Sequence, residues 1–144
     1  MQKIDACNEI LVLIKSVLEN KETSISEFNF LKNNFCEFNR EKLFRKIYFD
    51  FIKHSIYLRE IYFKLLNKEI CDLELFCNNN VVVDEDLDIK EILMNNIFRE
   101  ENMCELCSKL SYLFIDENSR EKINEMILDS RANITKLFFL YANN

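Results

Sequence analysis

Two cysteines with the spacing of a CxxC motif, Cys104 and Cys107, are the first residues in this chain that suggest chemistry. Such a pair acts as a redox dithiol or supplies half of a tetrahedral zinc site. Cys71 and Cys77 would complete a zinc site, although the five residues between them do not match a second zinc knuckle. The CxxC motif also lies in a helical pattern of apolar residues, where cysteine is a common core residue. We therefore interpret these cysteines as core residues and predict no metal ion, no cofactor and no redox centre.

His54 is the only histidine, so a metal site built from several histidines is excluded. As a general base it would need a carboxylate or a nucleophile that the fold brings to it. It lies at the edge of an apolar stripe, which favours a packed histidine with one nitrogen hydrogen-bonded. The sequence thus predicts no catalytic residue.

Two acidic segments, residues 84–88 and 116–118, imitate the start of a calcium-binding loop. Neither has the glycine that such a loop needs at its sharp turn, and Asn95 stands where the bidentate glutamate would be. Acidic residues also favour the start of a helix because they interact with its dipole. Asp88 and Glu91 have the spacing of a capping box, so we predict a helix start there and no calcium site.

Glycine and proline are both absent, although average composition would give roughly ten and seven of them. Short β-hairpins usually need glycine, so their scarcity favours helices joined by polar loops. Gly-rich phosphate-binding loops are excluded for the same reason. The length of 144 residues fits one domain, and we predict a single all-α domain over residues 1–144.

Residues 40–68 contain apolar side chains at helical spacing on two faces. A helix that is apolar on two faces is normally buried on both. The sequence therefore predicts a long apolar central helix with the other helices packed around it. The first stripe is Phe44, Tyr48, Phe51, Ser55, Leu58, Tyr62 and Leu65, apolar except for Ser55, and the second is Phe49, Ile52, Ile56, Phe63 and Leu66.

The same periodicity predicts five further helices, which gives a total of six, or seven if residues 70–76 form a short helix of their own. Ser24 and Glu27 form a capping box that predicts a helix start, and Glu100 to Asn102 interrupts an apolar pattern and predicts a break. Residues 81–83 are predicted to be an extended linker. The predicted helices cover residues 4–19, 25–38, 89–98, 103–115 and 119–141.

The net charge of −6 is unevenly distributed. Residues 40–68 contain eight Lys/Arg and three Asp/Glu, whereas residues 71–144 contain seven and fifteen. We expect the basic helix to pair with acidic neighbours inside the molecule, and an acidic chain of this kind is not expected to bind nucleic acid directly. The acidic second half could instead imitate nucleic acid and occupy a basic groove of a partner.

Six cysteines without an apolar signal segment predict reduced thiols and a cytoplasmic location. No window approaches the eighteen apolar residues of a membrane span. The protein is therefore expected to be intracellular and to lack a membrane-spanning segment.

Two segments of the second half resemble the apoptosis-regulator fold (B-cell lymphoma two-like) that poxviruses use in host-evasion proteins. Residues 103–110 are similar to the apolar, Cys-containing penultimate helix of that family, and residues 123–141 resemble its closing helix. The Asn-Trp-Gly-Arg groove signature of the cellular members is absent here. The resemblance implies a helical bundle that binds host apoptotic or innate-signalling proteins through a groove or a helical face.

The sequence accordingly favours a non-enzymatic intracellular protein-interaction module, a virus-encoded inhibitor or decoy with a protein partner. The alternative is a phage-type acidic inhibitor, similar to an anti-CRISPR protein, that blocks a nucleic-acid-binding enzyme. A third hypothesis is a metal or redox protein that uses the four cysteines named above.

Overall fold

The computed structural model describes residues 2–66, 83–84, 86–113 and 116–144, with the side chains of residues 2–7, 36 and 39 excepted. Within these ranges the chain is helical and contains no strand, which confirms the all-α prediction. Predictions for residues 70–82 lie outside the described residues. The helices are α1 (Gln2–Asn34), a 3-10 helix (Cys36–Arg40), α2 (Lys42–Leu66), α3 (Ile89–Tyr112) and α4 (Glu117–Ala142).

The four α-helices form a ring in which α1 and α4 each pack against both α2 and α3. All four contacts are antiparallel, so α2 and α3 run in the same direction at opposite corners of the bundle. Leu66 and Ile89 therefore lie at opposite ends of it. Two contacts establish each direction. They are Glu22–Arg59 and Asn29–Tyr48 for α1 with α2, Lys21–Glu100 and Glu27–Asn96 for α1 with α3, Lys53–Asp129 and Lys64–Asp116 for α2 with α4, and Cys104–Ile127 and Lys90–Tyr141 for α3 with α4.

The expected number of six or seven helices is wrong for the described part of the chain, where four α-helices are found. The predicted helix start at Ser24 does not exist, because α1 continues through it as one helix of 33 residues. Ser24 and Glu27 instead point into the bundle, where both contact Arg99 of α3. A capping box predicted from local spacing is here a cross-helix contact.

The predicted break at Glu100 to Asn102 is also wrong, since α3 continues without interruption from Ile89 to Tyr112. Glu100 lies on the inner face of α3, where its carboxylate pairs with Lys21. A polar residue that interrupts an apolar pattern is here a residue of the inner face and not the end of a helix.

Helix α3 begins where the sequence predicts a helix start. Asp88 Oδ1 accepts a hydrogen bond from the Glu91 N–H at 2.7 Å, and Glu91 Oε2 accepts one from the Asp88 N–H at 3.3 Å. This capping box is therefore confirmed. The last predicted helix is confirmed as well, although it begins at Glu117, after an Asp116 cap, rather than at residue 119 or 120.

Helix α2 is confirmed as a long helix, but the prediction that it is central and buried on both faces is wrong. Phe44, Phe51 and Leu58 of its first stripe are buried, and Phe44 stacks on Phe28 of α1 with ring centroids 4.6 Å apart. Three residues of its second stripe, Phe49, Ile52 and Ile56, are 61%, 37% and 48% exposed, whereas Phe63 of the same stripe packs against the interior. In a ring of four helices each helix occupies a corner and keeps an outward face, so the first part of the second stripe, from Phe49 to Ile56, remains uncovered.

Apolar side chains of the interior form two clusters, each with contributions from all four helices. The first lies around Leu18, Leu58, Cys107 and Met126, and the second around Phe28, Phe51, Ile97 and Leu137. Phe38 of the 3-10 helix closes the second cluster. The space between the two clusters is occupied by polar side chains.

The two phenylalanines of α2 allow a matched test of this arrangement. We expect Phe44→Ala to lower the free energy of unfolding by about 3–5 kcal/mol, because it leaves a cavity in the second cluster. Phe49→Ala should change it by less than about 0.5 kcal/mol, because Phe49 is on the surface. Urea denaturation of both variants measures the difference, and equally large losses would mean that both faces of α2 are buried.

Candidate functional site

A layer of polar side chains crosses the bundle between the two apolar clusters, and we call it the buried polar layer. All four helices contribute to it, and most of its side chains are inaccessible to water. In α1, for example, it lies between Leu18 of the first cluster and Phe28 of the second. Its members are Lys21, Ser24 and Glu27 of α1, Asp50, His54 and Ser55 of α2, Asn96 and Glu100 of α3, and Ser130 and Asn133 of α4.

Lys21 and Glu100 form an ion pair in this layer, with their side chains only 2% and 1% exposed. The ammonium group of Lys21 also lies 4.4 Å from the centroid of the Phe51 ring, a cation–π contact. Removing each charge from water costs several kcal/mol, which the attraction between them offsets only if they remain paired. Any other register of α1 against α3 would separate the two charges and is therefore disfavoured.

His54 is fully buried, and its Nε2 lies 2.9 Å from Asp129 Oδ2 of α4. Among the described residues its Nδ1 has no hydrogen-bond partner. The expectation of a packed histidine with one nitrogen hydrogen-bonded is thus confirmed. Because the ring is enclosed, it is not placed to act on a substrate arriving from solution.

Burial lowers the pKa of His54 from 6.5 to about 4, and the nearby charge of Lys21 acts in the same direction. The hydrogen bond to Asp129 opposes this shift without overcoming it. At neutral pH the imidazole is therefore uncharged. The positive charge that pairs with the Asp129 carboxylate is therefore that of Lys53, at 2.9 Å.

A second polar group connects α1 to α3 one turn further along. Arg99 donates from Nε to Ser24 Oγ at 3.0 Å and forms an ion pair with Glu27. Asn96 donates to the same carboxylate at 3.1 Å. Burial lowers the pKa of Arg99 to about 10, which still leaves it charged at neutral pH. These contacts reinforce the helix register that the Lys21–Glu100 pair selects.

Several buried polar atoms of the layer have no hydrogen-bond partner among the described residues. They include Glu100 Oε2 and both side-chain polar atoms of Asn133. An unpaired polar atom of this kind costs about 1–3 kcal/mol, and buried water is what commonly satisfies such atoms in globular proteins. The layer therefore determines how the helices pair without adding a large net stability.

Cys104 and Cys107 lie one turn apart on α3 and are both free thiols. Burial raises the pKa of Cys107 to about 12, and burial also raises the pKa of the half-buried Cys104. A reactive dithiol requires the opposite shift, since the thiolate is the nucleophile and the metal ligand. Cys71 and Cys77 lie outside the described residues. Within those residues no three His, Cys, Asp or Glu side chains are grouped to hold a metal ion.

The two acidic segments act at helix starts. Asp84 Oδ1 accepts from the Asp86 N–H at 3.0 Å, and Asp88 caps α3 as described above. Asp116 accepts from the Ser119 N–H at 3.2 Å and pairs with Lys64 at 2.7 Å. The hydrogen bond from Lys64 lowers the pKa of Asp116, so that carboxylate stays charged as a cap. The described geometry thus gives these carboxylates structural partners.

A surface depression of about 580 Å³ lies between the start of α3 and the end of α4, with Leu87, Met94 and Tyr141 in its wall. Its carboxylates, Asp88 and Glu91, are those of the α3 capping box. Both carboxylates of the depression are therefore already engaged in capping α3.

The largest accessible apolar feature of α2 is the surface that we call its outer face, formed by Phe49, Ile52 and Ile56. The three residues follow one another at intervals of three and four, so they share one side of the helix. Large apolar side chains that adjoin on a surface commonly mark a binding site. The chain thus leaves these apolar side chains exposed, although it buries the polar side chains of Lys21, His54 and Glu100.

The basic residues of α2 differ in whether they have acidic partners. Lys53 pairs with Asp129 of α4, Lys64 pairs with Asp116, which caps α4, and Arg59 pairs with Glu22 of α1. These contacts confirm the expected internal pairing. Lys42 and Arg45 form no ion pair with a described residue, and both are exposed. Two unpaired positive charges therefore lie beside the outer face, at the start of α2.

The sequence pattern predicts neither the buried polar layer nor the exposure of the outer face. One signal for the layer was present, because Val17, Lys21, Ser24 and Phe28 continue a single run of intervals of three and four through α1. The run becomes visible only if polar residues are allowed on the inner side. No local signal shows which stripe of α2 is covered, because that depends on where the other helices lie.

The buried histidine makes a testable prediction about pH. Between pH 6.5 and pH 4 the unfolded state binds a proton at His54 that the folded state does not, so stability falls as the pH is lowered. The loss is on the order of 3 kcal/mol between pH 7 and pH 4. His54→Gln keeps a hydrogen-bond donor for Asp129 but does not titrate, so this pH-dependent loss is absent from the variant. As the pH falls from 7 to 4, the stability advantage of wild type over the variant should therefore shrink by a similar amount. Urea denaturation across this pH range measures it, and parallel curves for the two proteins would contradict a depressed pKa.

None of the described helices is long and apolar enough to span a membrane. Comparison of the chain with protein-family models, with curated proteins and with solved structures found no match.

Proposed function

We propose that this protein is a non-enzymatic protein-interaction module that binds its partner through the outer face of α2. The observation that carries the proposal is the exposure of Phe49, Ile52 and Ile56 on one side of one helix. Their exposed fractions, 61%, 37% and 48%, leave enough apolar surface that covering it would contribute on the order of 3–4 kcal/mol to binding. A contact of this kind needs no chemical reaction at the site.

The outer face is also held rigidly, which favours binding. The opposite side of α2 is packed into both apolar clusters and carries His54 of the buried polar layer. Ion pairs from Arg59 to α1 and from Lys53 to α4 attach its two edges. A surface that is ordered before binding loses less conformational entropy when the partner arrives.

The resemblance of residues 103–110 and 123–141 to poxvirus apoptosis regulators narrows the proposal to a particular class of partner. On that basis the partners would be host apoptotic or innate-signalling proteins, and the protein would act as a decoy or inhibitor. The proposed contact is a convex helical face rather than a groove.

The phage-type acidic inhibitor receives no specific support from the described charges. Asp116, Glu125 and Asp129 of the acidic second half face Lys64 and Lys53 of α2, and Asp88 caps α3. Carboxylates engaged in this way are less available to imitate a row of phosphates. The cysteine-based hypothesis is disfavoured by the raised pKa values of Cys104 and Cys107.

The proposal is tested with two matched double variants. Phe49→Glu/Ile56→Glu puts charge on the outer face, and Leu128→Glu/Phe139→Glu makes equivalent changes at exposed positions of α4, where the two residues are 65% and 55% exposed. Tagged wild type and both variants are used for affinity capture from eukaryotic and bacterial lysates at about 0.15 M and about 0.5 M salt. Circular dichroism and thermal melting verify that the variants are folded.

We expect wild type and the α4 variant to capture the same partner at both salt concentrations, since hot-spot apolar contacts depend little on salt. The amount of this partner captured by the outer-face variant should be at least about tenfold lower. Loss of the same partner from both variants would place the contact elsewhere. If no retained protein depends on Phe49 and Ile56, the proposed function is wrong.

A further inference from the structure

We infer that the partner presents an acidic amphipathic helix, which lies along the outer face of α2 with its carboxylates at the start of that helix. This inference rests on the proposed function and specifies the chemistry of the partner. It depends on the spacing of the apolar residues and on the charges beside them.

The spacing of the outer face fits a second helix. Phe49, Ile52 and Ile56 are followed seven residues later by the partly buried Phe63, so the intervals are those of a heptad seam. A partner helix with apolar residues at alternating intervals of three and four can pack its side chains between them. From Arg45 to Phe63 the seam is about 27 Å long, which corresponds to roughly eighteen residues of a partner helix.

The charges at the start of α2 indicate the sign of the charge that the partner should carry there. The first turn of α2 contains no acidic residue, although acidic residues are favoured there by the helix dipole. Lys42 and Arg45 stand there instead, exposed and without an ion pair to a described residue, and Glu41 directly before the helix leaves this region net positive. Carboxylates on the partner would neutralise both the side chains and the dipole.

A second copy of this chain fits the same surface less well. Two α2 helices packed in parallel would bring Lys42 and Arg45 against the same residues of the other copy, which is repulsive. In an antiparallel pair that brings Phe49 of one copy to Ile56 of the other, Lys42 would lie near Lys64, which is repulsive, and Arg45 would lie near Glu60, whose carboxylate already pairs with Lys122 at 2.7 Å. Charge complementarity therefore favours a different, acidic chain.

The test uses three fluorescent synthetic peptides of about twenty-one residues. The first has leucine at the seam positions and glutamate on the flanks, the second replaces every glutamate with lysine, and the third is a scrambled form of the first. Dissociation constants are measured by fluorescence anisotropy with wild type and three variants. Phe49→Ala/Ile56→Ala removes the seam, Lys42→Gln/Arg45→Gln removes the charges, and Lys109→Gln/Arg131→Gln is a charge-matched control on α3 and α4.

We expect the acidic peptide to bind wild type and the control variant equally. Its dissociation constant should rise by at least about tenfold without the seam and by about fivefold without the two charges. The lysine peptide and the scrambled peptide should bind at least about tenfold more weakly than the acidic peptide.

Each contrary outcome overturns the inference in a different way. Equal or tighter binding of the lysine peptide, with the same dependence on Phe49 and Ile56, would refute an acidic partner while the proposed function still stood. Binding of the scrambled peptide would refute a helical seam. Concentration-dependent dimerisation of wild type that Phe49→Ala/Ile56→Ala abolishes, measured by sedimentation, would make a second copy the occupant. If no peptide binds in a seam-dependent way, the acidic helix is refuted, and lysate capture decides separately whether the outer face binds anything.

Discussion

The fold depends most directly on the ion pair between Lys21 and Glu100. Both side chains are almost completely buried, and each would be an uncompensated charge if the other moved away. Apolar side chains tolerate several arrangements of four helices, because their attraction has no direction. A buried charge pair does not, and it therefore selects the register of α1 against α3. The Arg99–Glu27 pair one turn away supports the same register.

The remaining features follow from that arrangement. With α1 and α3 paired in this way, α4 closes the ring, and Asp129 meets His54 and Lys53 of α2. Each helix then has one inner side and one outer side. Helix α2 has apolar residues on both, so Phe44 and Phe51 complete the second cluster while Phe49 and Ile56 remain at the surface. The proposed binding surface is thus the side of α2 that the ring leaves uncovered.

The sequence predicts the structure correctly where the determining interactions are local. The Asp88–Glu91 capping box and the last helix depend on residues a few positions apart, and both were predicted. The spacing of Ser24 and Glu27 is identical, yet these residues meet Arg99, which is more than seventy positions away in the sequence. The break that the sequence predicts at Glu100 is wrong for the same reason, since only the distant Lys21 explains why a carboxylate lies on an inner face. Helical periodicity revealed both apolar stripes of α2, but which stripe is covered depends on the positions of three other helices.

The most direct test of this account is a double-mutant cycle at the buried ion pair, with Lys21→Met, Glu100→Gln and the double variant compared by urea denaturation. Each single substitution leaves a buried polar or charged group without its partner, so we expect each to lower the free energy of unfolding by about 3–5 kcal/mol. The loss of unfolding free energy in the double variant should be at least about 2 kcal/mol smaller than the two single losses added together, because the double variant leaves neither charge buried without its partner. If the two losses are small and additive, the charges are solvated and unpaired, and the pair does not determine how the helices pack.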